Sequence, residues 1–481
     1  MRAWSKQALG VIGLLVFATS VIGCKKARAR RDDQGESTEA TKEAAKEAPD
    51  GVTDETVRLS QVASFTGAQA GLGTESYRGA MAYFAEVNAR GGVHGRKIEI
   101  VPVDDKYTSE GGEAATEKAI NDDRPFVFFG ASGTEPSSGI VKTLKKYEAK
   151  KFVLWGSTSG AEVLRAPEFA PFAFNIRGSL KSSGKDVVEA FASAGFKKIG
   201  VVAQDDGFGK SAATAAKKAI EDKGLTMVLE MPIPKSAKPE TSDAKDIVAK
   251  MKAAGAEAVV LAATYNPSTV FVRDARDSGW NVAAATMATP DTMLRQLTAI
   301  EKKTGKRMTN ALLGCTNAPP VSATDLPAVR EYRDLTDKRK ADLPAQIADP
   351  NYRPLRYSTN ALESFIGARA IVEAMERAGK NLTRDSLRKA AESMIGWDPG
   401  VGQKLTWGQG DNQGFDSVWL PGIKNDEFVL VTDMKKYLTD KPEPVLLAKD
   451  DKDAKDAKPG EKGTATPPPA AANAKTAPGK K

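Results

Sequence analysis

Between about residue 56 and residue 440 the sequence alternates short apolar runs with longer amphipathic ones, and this constrains the fold more than any other feature. VRLSQVA, KIEIVPV, PFVFFG and FVLWG are short, rich in β-branched and aromatic residues, and separated by Gly-, Asp- or Lys-containing segments, which are strand signals. TESYRGAMAYFAEVNARGG and PSSGIVKTLKKYEAK, which lie between them, carry apolar residues at helical spacing. Strand–helix alternation predicts a parallel sheet with helices on both faces. After Arg177 the pattern restarts, with strands expected at KKIGVVA, TMVLEMP, EAVVLAA and NVAAAT and helices near 182–194, 208–223, 240–254 and 267–278. A core of about 385 residues exceeds one ordinary domain, so the expected fold is α/β with two doubly wound parallel-sheet lobes.

The expected organisation runs from a signal segment at 1–24 and a flexible tether at 25–55 to a first lobe beginning at 56–177. The second lobe follows at 178–315. A helical segment at 316–400, including NALESFIGARAIVEAMERAG, is expected to return to the first lobe. Closing strands at 401–445 (GQKLTW, FDSVWL and EFVLVT, with LPGIKNDE as a turn) are expected near the second, and 446–481 is a low-complexity tail of Lys, Asp, Ala and Pro.

At the amino end, Arg2 and Lys6 precede a mostly apolar run from Ala8 to Gly23. That run is short for a membrane span and suits an export signal. Val21-Ile22-Gly23-Cys24 resembles the lipobox of bacterial lipoproteins, which implies acylation of Cys24 and a lipid-anchored protein in the periplasm or on the cell surface. Residues 25–55 hold too little apolar surface to offset the entropy of ordering.

Several chemistries are excluded. The formal charge is +8, partly carried by the signal and the tail, so the core is too weakly basic to argue for nucleic acid. The single histidine, His94, rules out multi-histidine zinc sites, and no cofactor is expected. With Cys24 acylated, Cys315 stands alone and is expected to be a buried thiol. GSTSG at 156–160 has Thr158 where a nucleophile elbow has serine. Gly207-Phe208-Gly209-Lys210-Ser211 ends like a phosphate-binding loop, but the first glycine of that pattern falls on Gln204, and Asp205 and Asp206 stand where phosphates would lie. No enzymatic activity is expected.

Two loops are rich in small hydroxyls. FFGASGTEPSSG leaves a strand and enters a helix, with Ser132, Gly133 and Thr134 at the junction. LWGSTSGAEVL repeats the arrangement with Ser157, Thr158 and Ser159. Backbone N–H groups at a helix start, together with hydroxyls, favour an anion such as a carboxylate. The alternative is capping, because Thr134 suits an N-cap and Ser159 with Glu162 has the form of a capping box.

The segment order, with FTGAQAGLGTESYRGAMAYFAEVNARGGVHGRKIEIVPVDDKY, FGASGTEP, DDGFGKS, ATYNPSTVFVRDARDSGW and GWDPGVGQKLTW, resembles the branched-chain amino acid (Leu/Ile/Val) receptor family of type I periplasmic binding proteins. The resemblance implies two lobes joined by a three-stranded hinge and closing on a small-molecule ligand. The expected partner is an ABC transporter permease, with a sensor feeding a signalling protein as the alternative, and the expected protein is a monomer. It also implies that the two hydroxyl loops hold the ligand's carboxylate, that Leu72 lies on the rim of the first lobe, and that Phe208 and Tyr265 face the cleft from the second. Family members that take amino acids place an acidic side chain against the ammonium. Here Ala288 falls near that position and Asp291 is the nearest carboxylate. An unpaired buried ammonium is costly, so a standard branched-chain amino acid is not the expected ligand.

Overall fold

The computed structural model describes residues 49–288, 290–339 and 341–441. Cys24, the signal segment, most of the tether and the tail lie outside the described residues.

The first sheet contains β1 (Thr56–Ala63), β2 (Lys97–Asp104), β3 (Val127–Phe129), β4 (Leu154–Trp155) and β5 (Ala173–Phe174). They are parallel and ordered β2-β1-β3-β4-β5. α1 (Ala70–Ala89), α2 (Ser109–Lys118) and α3 (Thr134–Lys146) connect them. Leu59 to Ala63 are all buried, as expected for a strand covered on both faces.

The second sheet repeats the plan. β6 (Lys198–Gln204), β7 (Thr226–Ile233), β8 (Ala258–Ala262), β9 (Ala283–Thr286) and β10 (Leu312–Leu313) are parallel in the order β10-β9-β8-β6-β7. Its helices are α4 (Leu180–Ala194), α5 (Gly207–Asp222), α6 (Lys245–Ala253), α7 (Tyr265–Asp277) and α8 (Asp291–Thr304). The expected strands and helices of both lobes correspond to these elements.

α9 (Pro327–Arg339), α10 (Thr359–Ala378) and α11 (Arg384–Glu392) return to the first lobe. α10 is buried along nearly its whole length, and its Leu362, Phe365 and Ile366 share one core with Leu59, Phe84 and Phe129. The chain passes between the lobes at 175–180, 313–318 and 415–421, and these crossings pair. Phe415 N donates to Ile176 O at 3.0 Å, and Thr316 and Trp419 exchange two backbone hydrogen bonds at 2.9 Å.

The closing region departs from expectation. GQKLTW and FDSVWL form isolated bridges, Leu405 to Trp397 and Trp419 to Thr316. The hairpin lies later, as β11 (Gly422–Lys424) and β12 (Glu427–Val429), followed by α12 (Met434–Thr439). Its turn is Asn425-Asp426 with φ of 52° and 62°, the left-handed pair that a two-residue hairpin needs. LPGIKNDE therefore contains a strand as well as a turn. Leu405, Trp407 and Phe415 pack in the first lobe's core, whereas Leu420, Val431 and Leu438 pack in the second's. Large apolar side chains follow whichever cavity is within reach of the hinge, which strand propensity does not report. The tether also ends earlier than expected: Val52 is 7% exposed within the first core and bridges to Val57.

Candidate ligand site

Both sheets follow a 2-1-3-4-5 strand order, which places the topological switch point between β1 and β3 in one lobe and between β6 and β8 in the other. Ligands of such sheets bind beyond the carboxyl ends of the strands at that point. Loops leaving those four strands, together with those leaving β2, β4 and β9, converge on one cavity of about 30 Å³ between the lobes. The lobes touch across it. Tyr265 Oη donates to Ala68 O at 2.6 Å, Gln69 Nε2 to Thr264 Oγ1 at 3.0 Å, and Gly207 N to Glu135 Oε1 at 3.3 Å. A wider hollow of about 560 Å³, near Phe196, Glu257 and Trp280, lies at the opposite, amino ends of β6 and β8.

From the first lobe, Leu72, Gly133, Thr134, Thr158 and Ser159 line the cavity. Neither capping role is taken. The N-cap of α3 is Gly133, with no side-chain cap, and Thr134 is already inside the helix. The loop after β4 enters only a short 3-10 turn, Glu162–Arg165, whose N-cap is Ala161 without a side-chain bond. Ser159 Oγ instead accepts from Ala161 N at 3.3 Å, and Thr158 Oγ1 donates to Ala131 O at 3.3 Å. Thr134 Oγ1 has no partner among the described residues. Gly133 has a φ of 88°, and a Cβ there would lie 2.4 Å from the Tyr107 ring, so glycine is required on both counts.

From the second lobe come Phe208, at the start of α5, and Thr264, Tyr265 and Ala288. The glycines of DDGFGKS serve packing. A Cβ on Gly209 would lie 1.9 Å from Gln204 O. Asp206 caps α5 by accepting from Gly209 N at 2.9 Å, so the carboxylate already occupies the place a phosphate would take.

Three residues expected in the site lie elsewhere. Ser132 is fully buried behind the loop, bridging Thr158 through the backbone, with its Oγ unpartnered. Ser157 Oγ bonds Ser137 Oγ at 2.9 Å and Ala131 O at 3.2 Å, which turns it into the fold. Both are buried in the first lobe, whereas the residues that follow them in the same loops, Gly133 and Thr134 after Ser132 and Thr158 and Ser159 after Ser157, line the cleft. Asp291 opens α8 and accepts from Thr359 N at 3.0 Å and from the Thr359 hydroxyl, so it ties the second lobe to α10 of the first. It faces a neighbouring space of about 10 Å³ that it shares with Glu75.

Tyr107, Gly160, Arg177 and Thr264 line the cavity without having been singled out. Tyr107 was within reach of sequence reasoning, since it follows the strand-ending pair Asp104-Asp105. Lys106 and Tyr107 both have positive φ, 54° and 57°, and Asp105 Oδ1 stabilises the turn by accepting from Tyr107 N at 2.8 Å. Burial first, then the nearby Asp206 and Glu135 carboxylates, push the Tyr107 phenol well above its usual range, so it stays neutral. Arg177 is paired with Glu363 of α10, 186 positions away, and no local pattern announces it.

The profile of the family described as "Periplasmic binding protein" matches residues 56–427. An "Amino acid binding protein" of Pseudomonas aeruginosa is 24% identical over 224 residues, and the match covers 44% of this chain and 55% of that one. The chain thus spans about half the length of that relative. A "Leu/Ile/Val-binding protein homolog 7" of Brucella suis is 27% identical over 335 residues, covering 67% of this chain and 77% of that one. A branched-chain amino acid ABC transporter structure from Thermus thermophilus with bound valine superposes with a TM-score of 0.67 at 19% identity, covering 81% of this chain and all of that one. A solute binding protein of an ABC transporter from Rhodopseudomonas palustris HaA2, in complex with p-hydroxybenzoic acid, gives 0.63 at 18% identity, covering 78% and 95%. The paired 2-1-3-4-5 sheets, the three crossings and a profile match across almost the whole described chain agree: the protein belongs to the periplasmic binding protein family, whose members bind ligands rather than convert them.

Proposed function

We propose that this protein is the extracytoplasmic solute receptor of an ABC transporter, that it captures a small carboxylate-bearing molecule between its lobes, and that it delivers this molecule to a membrane permease. The observation that carries this reading is the convergence of Thr134, Thr158 and Ser159 with Phe208 and Tyr265 on one interlobe cavity at the switch points of both sheets. The Thr134 and Ser159 hydroxyls keep their protons to donate to a carboxylate, whereas Thr158 donates its own to Ala131 O, and the aromatic residues close over the ligand. Relatives described as amino acid or Leu/Ile/Val binding, and structures holding valine or p-hydroxybenzoic acid, support this class of ligand. Acylation at Cys24 would hold the receptor at the membrane beside its permease.

Mass spectrometry of small molecules released from the denatured protein should identify a carboxylate. Calorimetry with that compound should then show Thr134→Ala and Ser159→Ala each weakening binding about tenfold, because a hydrogen bond to a charged group contributes roughly 1.5–3 kcal/mol. Unchanged affinity in both variants would place the ligand elsewhere.

A further inference from the structure

We propose that Arg177 sets the ligand selectivity of this cavity: the site takes a small organic acid with a second oxygen acceptor where an amino acid carries its ammonium group. This rests on the reading of the cleft as a carboxylate site and narrows it.

Arg177 follows β5 on the first crossing between the lobes, is 8% exposed, and forms part of the cavity wall. Its Nε and Nη2 donate to the two carboxylate oxygens of Glu363 at 2.8 and 2.6 Å. That fork fixes the plane of the guanidinium. Nη1 has no partner among the described residues and is not one of the buried atoms left without one, so it meets solvent at the cavity wall. A ligand that displaced that solvent without replacing its hydrogen bond would leave a donor unmade. An oxygen acceptor on the ligand would satisfy it.

The cavity offers a cation nothing comparable. None of the described residues that line it is acidic. Glu75 and Asp291 face the separate 10 Å³ space and are already occupied, and so are the two carboxylates near Tyr107: Asp206 accepts from Gly209 N at 2.9 Å and Gln204 Nε2 at 2.6 Å, and Glu135 from Gly207 N at 3.3 Å and Lys235 Nζ at 3.0 Å. Glu75 accepts from Arg78 at 3.1 Å, Tyr352 at 2.9 Å and Leu355 N at 2.8 Å, and Asp291 accepts from Thr359. The carbonyl of Ala288, the cavity residue nearest the place an acid would stand, accepts from Thr286 Oγ1 at 2.9 Å. An ammonium bound here would have no anionic partner and would share the cavity with a guanidinium.

The test uses matched pairs that differ only at this group: alanine and pyruvate, leucine and 4-methyl-2-oxopentanoate, phenylalanine and phenylpyruvate. Calorimetry on the full mature protein, freed of carried ligand, should show at least one oxo acid binding about tenfold or more tighter than its amino acid. The double variant Arg177→Met/Glu363→Met removes the pair without leaving a buried charge alone, and it should bring that ratio to about one. Glu363→Gln leaves the guanidinium uncompensated and should strengthen oxo acid binding. A structural role for the pair would change melting temperature and leave the ratio alone. An amino acid that binds as tightly as its oxo acid, a ratio that survives the double variant, or no binding by any of the six compounds would overturn the inference. If, in any of these cases, Thr134→Ala and Ser159→Ala still weaken binding of the co-purified compound, the carboxylate reading stands and only the selectivity claim fails. If those variants bind that compound as the wild type does, both fail.

Discussion

Asp105 illustrates how one residue couples the fold to the cleft. Its Oδ1 accepts from Ser64 Oγ at 2.7 Å and from Tyr107 N at 2.8 Å, while Oδ2 is buried without a partner. Burial is the main cause that pushes its carboxyl from the ordinary 3.8 up to about 7. Because the folded value is the higher one, the folded state binds the proton more tightly. Its contribution to stability is complete below about pH 3.8 and is lost as pH rises through about 7. Asp105→Asn should therefore flatten the decline of melting temperature between pH 4 and about pH 7, since the amide keeps an acceptor for Tyr107 N and carries no charge. A variant with the wild-type slope would show that another group titrates there. The sequence showed Asp104-Asp105 as a strand end but not this coupling, because burial of one carboxylate and not its neighbour is decided by what packs over them.

At the scale of elements, the amino ends of α8 and α10 meet across the lobes through Asp291 and Thr359. Both helix starts present partial positive charge to the same carboxylate. Asp291 does not line the ligand cavity, so its replacement should act on closure. Asp291→Ala should leave association nearly unchanged and speed release of the co-purified ligand about tenfold, in line with the roughly 1.5–3 kcal/mol of a charged hydrogen bond. Stopped-flow fluorescence separates the two rates, and a change confined to association would count against a closure role. The elements themselves were legible from periodicity. Their caps were less so: Thr134 and Ser159 carry capping patterns, yet the N-cap of α3 falls one residue earlier, on Gly133, and the loop after Ser159 enters only a 3-10 turn.

For the whole molecule, the described chain begins its packing before residue 56. Val52 is in the first core, and Arg384 Nη2 donates to Asp50 O at 3.3 Å. A protein trimmed to 49–441 should melt cooperatively at the temperature of the mature chain and bind equally well. Trimming to 56–441 should cost about 1–3 kcal/mol, the range for exposing a buried valine and its neighbours. Equal stability of the two would show that the strand-like contact of Val52 contributes nothing. The proposed acylation of Cys24 predicts that Cys24→Ala moves the protein from the membrane to the soluble fraction, and membrane association unchanged in that variant would rule the acyl anchor out.

By itself the sequence determined the two α/β lobes, the restart after Arg177 and the hydroxyl-rich loops, because each is written in local patterns: periodicity, turn residues, and small polar side chains between a strand and a helix. The resemblance to a receptor family rested on the same local stretches. Only the tertiary structure decided which hydroxyls of the two loops reach the cleft, that Asp291 bonds Thr359 in the first lobe instead of facing the cavity, and that Arg177 finds Glu363 across 186 positions. Those outcomes depend on which surfaces are brought within hydrogen-bond distance when two sheets and a returning helix share one hinge, and no short window of sequence contains that distance.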